Sequence, residues 1–142
     1  MRKIEGRGLW IGNVGDLRVP TAIIDAGIEA IVELADGEPM AILPRGLVRC
    51  RFPLSDGGDN AIAVLRLAAE SVAGLLRERI PTLVCCSAGM SRSICVAAGG
   101  ISIAEGRPLM DAVTLVVDSG PADISPLLLA QTRQAMMSSE TR

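Results

Sequence analysis

Histidine does not occur in this chain, and that absence removes whole classes of chemistry. Without an imidazole there is no Cys-His pair, no Ser-His-Asp triad and no mixed Cys/His zinc site, so any nucleophile must be activated by other means. Tyrosine is also missing, and phenylalanine and tryptophan occur once each. No aromatic clamp for a flat substrate ring is expected, and a shallow, permissive pocket follows from that. Lys+Arg number 14 against 16 Asp+Glu, a formal charge of −2, with no long basic run, so the electrostatic footprint of a nucleic-acid binder is missing. The four cysteines, Cys50, Cys85, Cys86 and Cys95, form no C-x-x-C pair, which points to a reduced, cytoplasmic protein without disulfide staples. Apolar stretches such as "ICVAAGGISIA" are too short for membrane insertion, and "MRKIEGRGLWIGN" lacks the apolar core of a signal peptide.

What is present organises as one domain over residues 1–142, long enough to bury roughly two thirds of the surface an unfolded chain exposes. Short strands are expected at 9–13, 28–34, 47–52 and 82–86, the last an uninterrupted apolar run of the kind a central strand buried on both faces shows. A short helix at 21–28 is closed by Gly27, and a loop with an edge segment is expected at 35–46, where two prolines and two glycines fall. Ile62, Leu65, Ala69, Val72, Leu75 and Leu76 recur at helical spacing within 61–80, a stretch that Pro81 ends. Three more helices are expected at 92–105, 108–118 and about 124–137, before the "SSETR" tail. Strands separated by helices argue for an α/β domain with a central, largely parallel sheet of four to five strands flanked by helices on both faces. Ligand sites in such sheets lie beyond the carboxyl ends of the strands, where Cys86 falls.

The strand-to-helix corner "CSAGMSRS" carries the chemistry. Ser87, Ala88, Gly89, Met90 and Ser91 are small or flexible, so their N–H groups can converge on an anion at a helix N-terminus. Arg92 can grip that anion with a two-donor fork, and the same field favours thiolate at Cys86. A cysteine so placed can act as a nucleophile without a base, which fits the missing histidine. Taken singly, Cys86 would read as a buried thiol and Gly89 as a turn; the spacing is what joins them.

These residues resemble the C-x5-R-[ST] phosphate loop of the cysteine-based protein tyrosine phosphatases, most closely the dual-specificity branch. "LWIGN", "GIEAIVEL" and "RFPLSDGG" are similar to segments in the same order in compact members, so the likeness covers most of the chain. The resemblance implies that Cys86 forms a phosphocysteine, that Arg92 and the amides of residues 87–92 bind the phosphoryl group, and that the Ser93 hydroxyl helps the thiolate leave. It also implies a general acid in a mobile loop, with Asp56 the candidate and Asp59 its rival. No cofactor or metal is expected. The implied partner is a phosphorylated protein or another phosphomonoester, with phosphate, sulfate or vanadate as active-site anions.

The sequence departs from this pattern at Cys85, where the family usually carries a histidine; a thiol is a weak donor, so a higher Cys86 pKa and slower turnover than in a histidine-bearing relative are expected. Cys85 or Cys50 could trap an oxidised Cys86. Cys50 and Cys95 read as core, Trp10 as packing, and Arg45, Arg49 and Arg51 as solvated surface. Two other functions fit the corner: a phosphate-binding module without turnover, and a rhodanese-like sulfurtransferase, to which the Arg92 spacing and the Asp56 loop are less suited. An arsenate reductase-like enzyme ranks behind both, because the low-molecular-weight type carries its loop near the N-terminus.

Overall fold

A computed structural model describes residues 1–140, with side chains described through Met137; the end of the "SSETR" tail, and with it the last two residues of the expected 1–142 domain, lies outside the described residues. The elements in chain order are β1 (Arg2–Lys3), β2 (Leu9–Asn13), a single 3-10 turn (Asp16–Arg18), α1 (Pro20–Asp25), β3 (Ala30–Ala35), β4 (Val48–Leu54), α2 (Ile62–Arg77), β5 (Thr82–Cys86), α3 (Arg92–Glu105), α4 (Leu109–Val117) and α5 (Pro126–Glu140). The strands form one five-stranded sheet in the order β1-β2-β5-β3-β4. β2, β5, β3 and β4 run parallel, and only the two-residue β1 is antiparallel.

β5 lies at the centre, paired on both sides, and every one of its residues is buried. Because side chains alternate across a strand, its sequence serves two faces at once. Val84 and Cys86 join Leu9, Ile11, Val32, Leu34 and the inner faces of α2, α3, α4 and α5 in the larger core. Leu83 and Cys85 point the other way, into a smaller cluster with Leu17, Ile23, Ile28 and Ile31. Helices cover both faces as expected, but unevenly: four on one side, and only α1, the 3-10 turn and the 36–47 segment on the other. Gly100 permits the closest helix contact, since a Cβ there would lie 2.4 Å from Val72 Cγ1 on α2.

Local signals explain most boundaries. α1 begins with Pro20 in its first turn and closes through a left-handed Gly27 (φ 76°), whose N–H and that of Ile28 return to Ile24 and Ile23. Residues 36–47 contain no edge strand; two prolines and a turn break any ladder, and Ala41, Leu43 and Leu47 pack on the smaller cluster instead. Arg49 is not the solvated residue that alternation suggested. Its Nε and Nη2 donate to Glu33 at 2.6 and 2.9 Å, and its Nη1 donates to the Ala41 carbonyl at 2.8 Å. Glu33 is buried at 7% exposure and needs a partner, which Arg49 supplies diagonally from the neighbouring strand, where it pairs in register with Ile31. Arg51 likewise donates to the Glu38 carbonyl and ties the same segment down.

Candidate active site

The carboxyl end of β5 delivers Cys86 into a loop, residues 87–91, that turns directly into α3. The turn depends on Gly89, which has φ 73° and sits against the end of β2: a Cβ there would lie 2.7 Å from the Gly12 carbonyl oxygen. Main chain cannot step aside as a flexible side chain can, so the position has no room for another residue. In this conformation the Gly89 N–H reaches back to the Cys86 sulfur at 3.2 Å.

Burial alone would raise the Cys86 thiol, since the residue is only 2% exposed. The loop overturns that. The Ser93 hydroxyl, the backbone N–H groups of Ser93 and Gly89 and the charge of Arg92 all favour the thiolate, and the net effect is a thiol below its ordinary value. Ser93 Oγ is fully buried and has no hydrogen-bond partner, and its hydroxyl beside Cys86 is among the groups that favour the thiolate. Position at the first turn of α3 adds the positive end of the helix dipole. The neighbouring thiols behave oppositely. Burial and the nearby Glu33 push Cys85 far up, and burial pushes Cys95 up to about 12.

Arg92 is buried at 8% exposure and held on three sides: Nη1 donates to the Leu54 carbonyl at 2.8 Å and to Asp36 Oδ1 at 3.3 Å, and Nη2 donates to Ser87 Oγ at 2.9 Å. These contacts fix the guanidinium plane and leave N–H donors on Nε and Nη2 for an anion. Ser87 is therefore more than a small residue. So is Ser91, whose hydroxyl donates to Asp56 Oδ1 at 2.6 Å while accepting the Ser125 N–H at 3.0 Å.

Asp56 thus stands at the mouth of the loop, joined to it by Ser91. It shares a cleft of about 270 Å3 with Cys86, Ser87, Ala88, Met90, Ser91, Arg92 and Asp123. Asp59 does not line this cleft; it accepts from the Ser55 hydroxyl within its own turn. The Asp56 loop is clamped to α5 by Gln131, whose amide donates to the Gly58 and Asn60 carbonyls at 2.9 Å. A wider cleft of about 420 Å3, by Gly8 and Ile80 ahead of the strands, has neither cysteine nor serine in its lining.

Two residues bear on the site that sequence reasoning missed. Asp36 follows β3 and meets Arg92, and Asp123 lines the cleft while its N–H donates to the Met90 carbonyl at 2.9 Å. Both lie in irregular segments with no motif to mark them. The redox partners named from sequence fail on geometry. Cys85 faces the opposite side of the sheet from Cys86, and Cys50 lies two strands away on β4, about 10 Å across the sheet at the usual strand spacing, beyond the roughly 7 Å that a bridge allows. Cys50 is half-buried against the larger core, as is Trp10 against the smaller, with Lys3 over its ring at 5.3 Å.

No protein-family model matches the sequence, and no curated sequence does. Solved structures do. Human DUSP28 superposes with a TM-score of 0.87, covering 99% of this chain and 99% of its own at 20% identity. The chain has the dual-specificity phosphatase fold. A mouse dual specificity phosphatase candidate solved in complex with zinc tungstate matches at 0.85, with 22% identity over 99% of this chain and 88% of that one. The human tyrosine phosphatase-like serine/threonine/tyrosine-interacting protein matches at 0.82, with 20% identity over 99% and 97%. In the dual-specificity phosphatase fold of this chain, the segment from β5 to α3 is where Cys86, Arg92 and Ser93 meet, with Asp56 brought in from the loop after β4. Among the described residues, no helix is long and apolar enough to cross a membrane.

Proposed function

We propose that this chain is a phosphomonoester hydrolase of the dual-specificity protein phosphatase type, working through a phosphocysteine. The observation that carries the reading is a buried Cys86 whose sulfur accepts the Gly89 N–H ahead of the α3 N-terminus, in one cleft with a guanidinium that has donors to spare. The Cys86 thiolate attacks phosphorus; an S–P bond forms as the ester P–O bond breaks. Asp56, protonated, gives its proton to the departing oxygen. Arg92 and the amides of residues 87–92 take the charge of the equatorial oxygens, where fixed donors in a cleft act most strongly. Water then attacks phosphorus, its proton returns to Asp56, and the S–P bond breaks with the Ser93 hydroxyl donating to the leaving thiolate.

No metal or cofactor takes part in this scheme. The tungstate in the mouse structure is a tetrahedral oxyanion, the shape of ligand that the loop of this chain is proposed to hold. The expected substrate is a phosphorylated protein or another phosphomonoester reached through an open cleft.

The deciding experiment is steady-state hydrolysis of a small aryl phosphate without metal, from about pH 5 to 8, by wild type, Cys86→Ser and Asp56→Asn. Release by wild type, loss in Cys86→Ser and a reduced acid-side rate in Asp56→Asn support the scheme. The second reading is a module that binds phosphate without turning it over; one structural relative is named as tyrosine phosphatase-like and interacting. A wild type that releases no phosphate yet melts at a higher temperature with vanadate would establish that reading instead.

A further inference from the structure

Behind the phosphate loop, on the side away from the cleft, a cation reaches across from the other end of the chain. Arg2 sits in β1, paired with Ile11 of β2. Its Nη2 donates to the Gly89 carbonyl at 3.2 Å and to the Pro121 carbonyl at 2.8 Å, and its Nε donates to Ser119 Oγ at 3.2 Å. Ser119 is free to accept because its own proton goes to the Val116 carbonyl at 2.6 Å. One guanidinium therefore ties the turn of the loop to the 118–125 connection. That connection grips the loop twice more, through the Asp123 N–H to the Met90 carbonyl and the Ser125 N–H to Ser91 Oγ. The fit is close: a Cβ on Gly120 would lie 2.4 Å from Arg2 Cδ.

We propose that Arg2 is a positioning residue of this site, holding the Gly89–Met90 peptide by its carbonyl so that the Met90 N–H on the opposite edge faces the cleft, and placing a fixed positive charge behind the thiolate. A peptide whose carbonyl accepts from a guanidinium on one side is held in the orientation, and polarised in the direction, that presents the flanking loop amides to an anion on the other. Cys85 cannot contribute here, since it faces the opposite side of the sheet. Burial lowers the Arg2 guanidinium from its ordinary range while the Cys86 thiolate raises it, so the two charges sense one another. Around Cys86 the other ionisable groups are Arg92 and Cys95 on α3, Asp56 after β4, Asp123 before α5 and Cys85 on its own strand. Among the described residues, Arg2 is thus one of two cations set against several acidic groups.

The proposal rests on the reading of Cys86 as an activated nucleophile, and its test does not need turnover. The rate of Cys86 alkylation by iodoacetamide is measured against pH on the full chain, with the labelled residue identified by mass spectrometry and thermal unfolding run alongside. Arg2→Ala is expected to move the alkylation midpoint up by about half to one pH unit, with Arg2→Lys moving it less. Gly120→Ala leaves Arg2 in the sequence but displaces it, and is expected to shift the midpoint in the same direction. Midpoints that stay within about 0.1 unit of wild type in Arg2→Ala and Gly120→Ala would overturn the proposal. Should Arg2→Ala fail to fold, Arg2→Lys and Gly120→Ala decide in the same way. A shifted midpoint in a protein that releases no phosphate would remove the hydrolase reading and leave Arg2 as the organiser of an anion loop.

Discussion

Replacing Gly89 by alanine perturbs the site through two separable costs. The left-handed backbone (φ 73°) costs a Cβ-bearing residue about 1 to 2 kcal/mol. The new Cβ would also lie 2.7 Å from the Gly12 carbonyl oxygen, an overpacking against main chain worth about 1 to 3 kcal/mol more. Gly27 has nearly the same φ, 76°, and open space around its Cβ, so Gly27→Ala carries the first cost alone. Thermal unfolding at roughly 3 °C per kcal/mol should then show Gly27→Ala melting about 3 to 6 °C lower than wild type and Gly89→Ala about 6 to 15 °C lower. Activity separates them further. Gly27→Ala should keep kcat/KM, whereas moving the Gly89 N–H off the sulfur should lower it about a hundredfold or more, as loss of a preorganised donor does. Equal melting temperatures for the two variants, with Gly89→Ala retaining full kcat/KM, would refute the claim that the contact with β2 sets the loop.

Three further outcomes follow from the same geometry. At about pH 7 a thiol reagent should label Cys86 while Cys85 and Cys95 react only after denaturation, because burial pushes both of those thiols up; peptide mapping that finds Cys85 labelled first would contradict this. The folded Cys86 thiol lies below its unfolded value, so its ionisation adds stability that is full above the unfolded pKa of about 8.5 and is lost as pH falls through the folded one. The melting temperature of wild type relative to Cys86→Ser should therefore rise as pH climbs toward about 8.5, and a flat or falling difference would count against the depressed thiol. Glu33→Ala leaves Arg49 facing a half-buried gap and should cost about 2 kcal/mol in urea unfolding, with Cys86 labelling unchanged; a loss under about 0.5 kcal/mol would make the pair a solvated one.

The fold was legible in the sequence to the extent that its signals were local. The unbroken run 82–86 marked the central strand, and the switch from small polar residues to an apolar helix at Arg92 placed the start of α3 without error. Pro81 and Gly27 punctuated their neighbours for stated conformational reasons. Of the loop with an edge segment expected at 35–46, the loop is present from residue 36 and the edge segment is not, because its apolar residues serve side-chain packing on the smaller cluster rather than a ladder, a distinction no periodicity carries over so few residues. Arg49 was misread for a related reason: alternation places a side chain on a face, and only the neighbouring strand reveals that Glu33 waits there.

Within the site, the order of Cys86, Gly89, Arg92 and Ser93 is written in one short motif, since the consecutive N–H groups of a single loop at a helix N-terminus suffice to cradle a phosphate-sized anion. What encloses the motif is not so written. Asp36, Asp123 and Arg2 arrive from segments dozens of residues away, each through a contact that depends on how the sheet and the 118–125 connection come together. Cys85 shows the converse limit. Adjacency to Cys86 suggested chemical partnership, but the period of two in a strand sends neighbours to opposite faces.

The central claim is that phosphoryl transfer passes through the sulfur of Cys86. Wild type and Asp56→Asn, mixed with an aryl phosphate and quenched rapidly in acid, should each yield protein carrying a single phosphoryl group mapped to Cys86 by mass spectrometry, and Cys86→Ser should carry none and release no phosphate. Phosphate released at an undiminished rate by Cys86→Ser, or turnover by wild type with no phosphoryl group on Cys86 at any quench time, would contradict it.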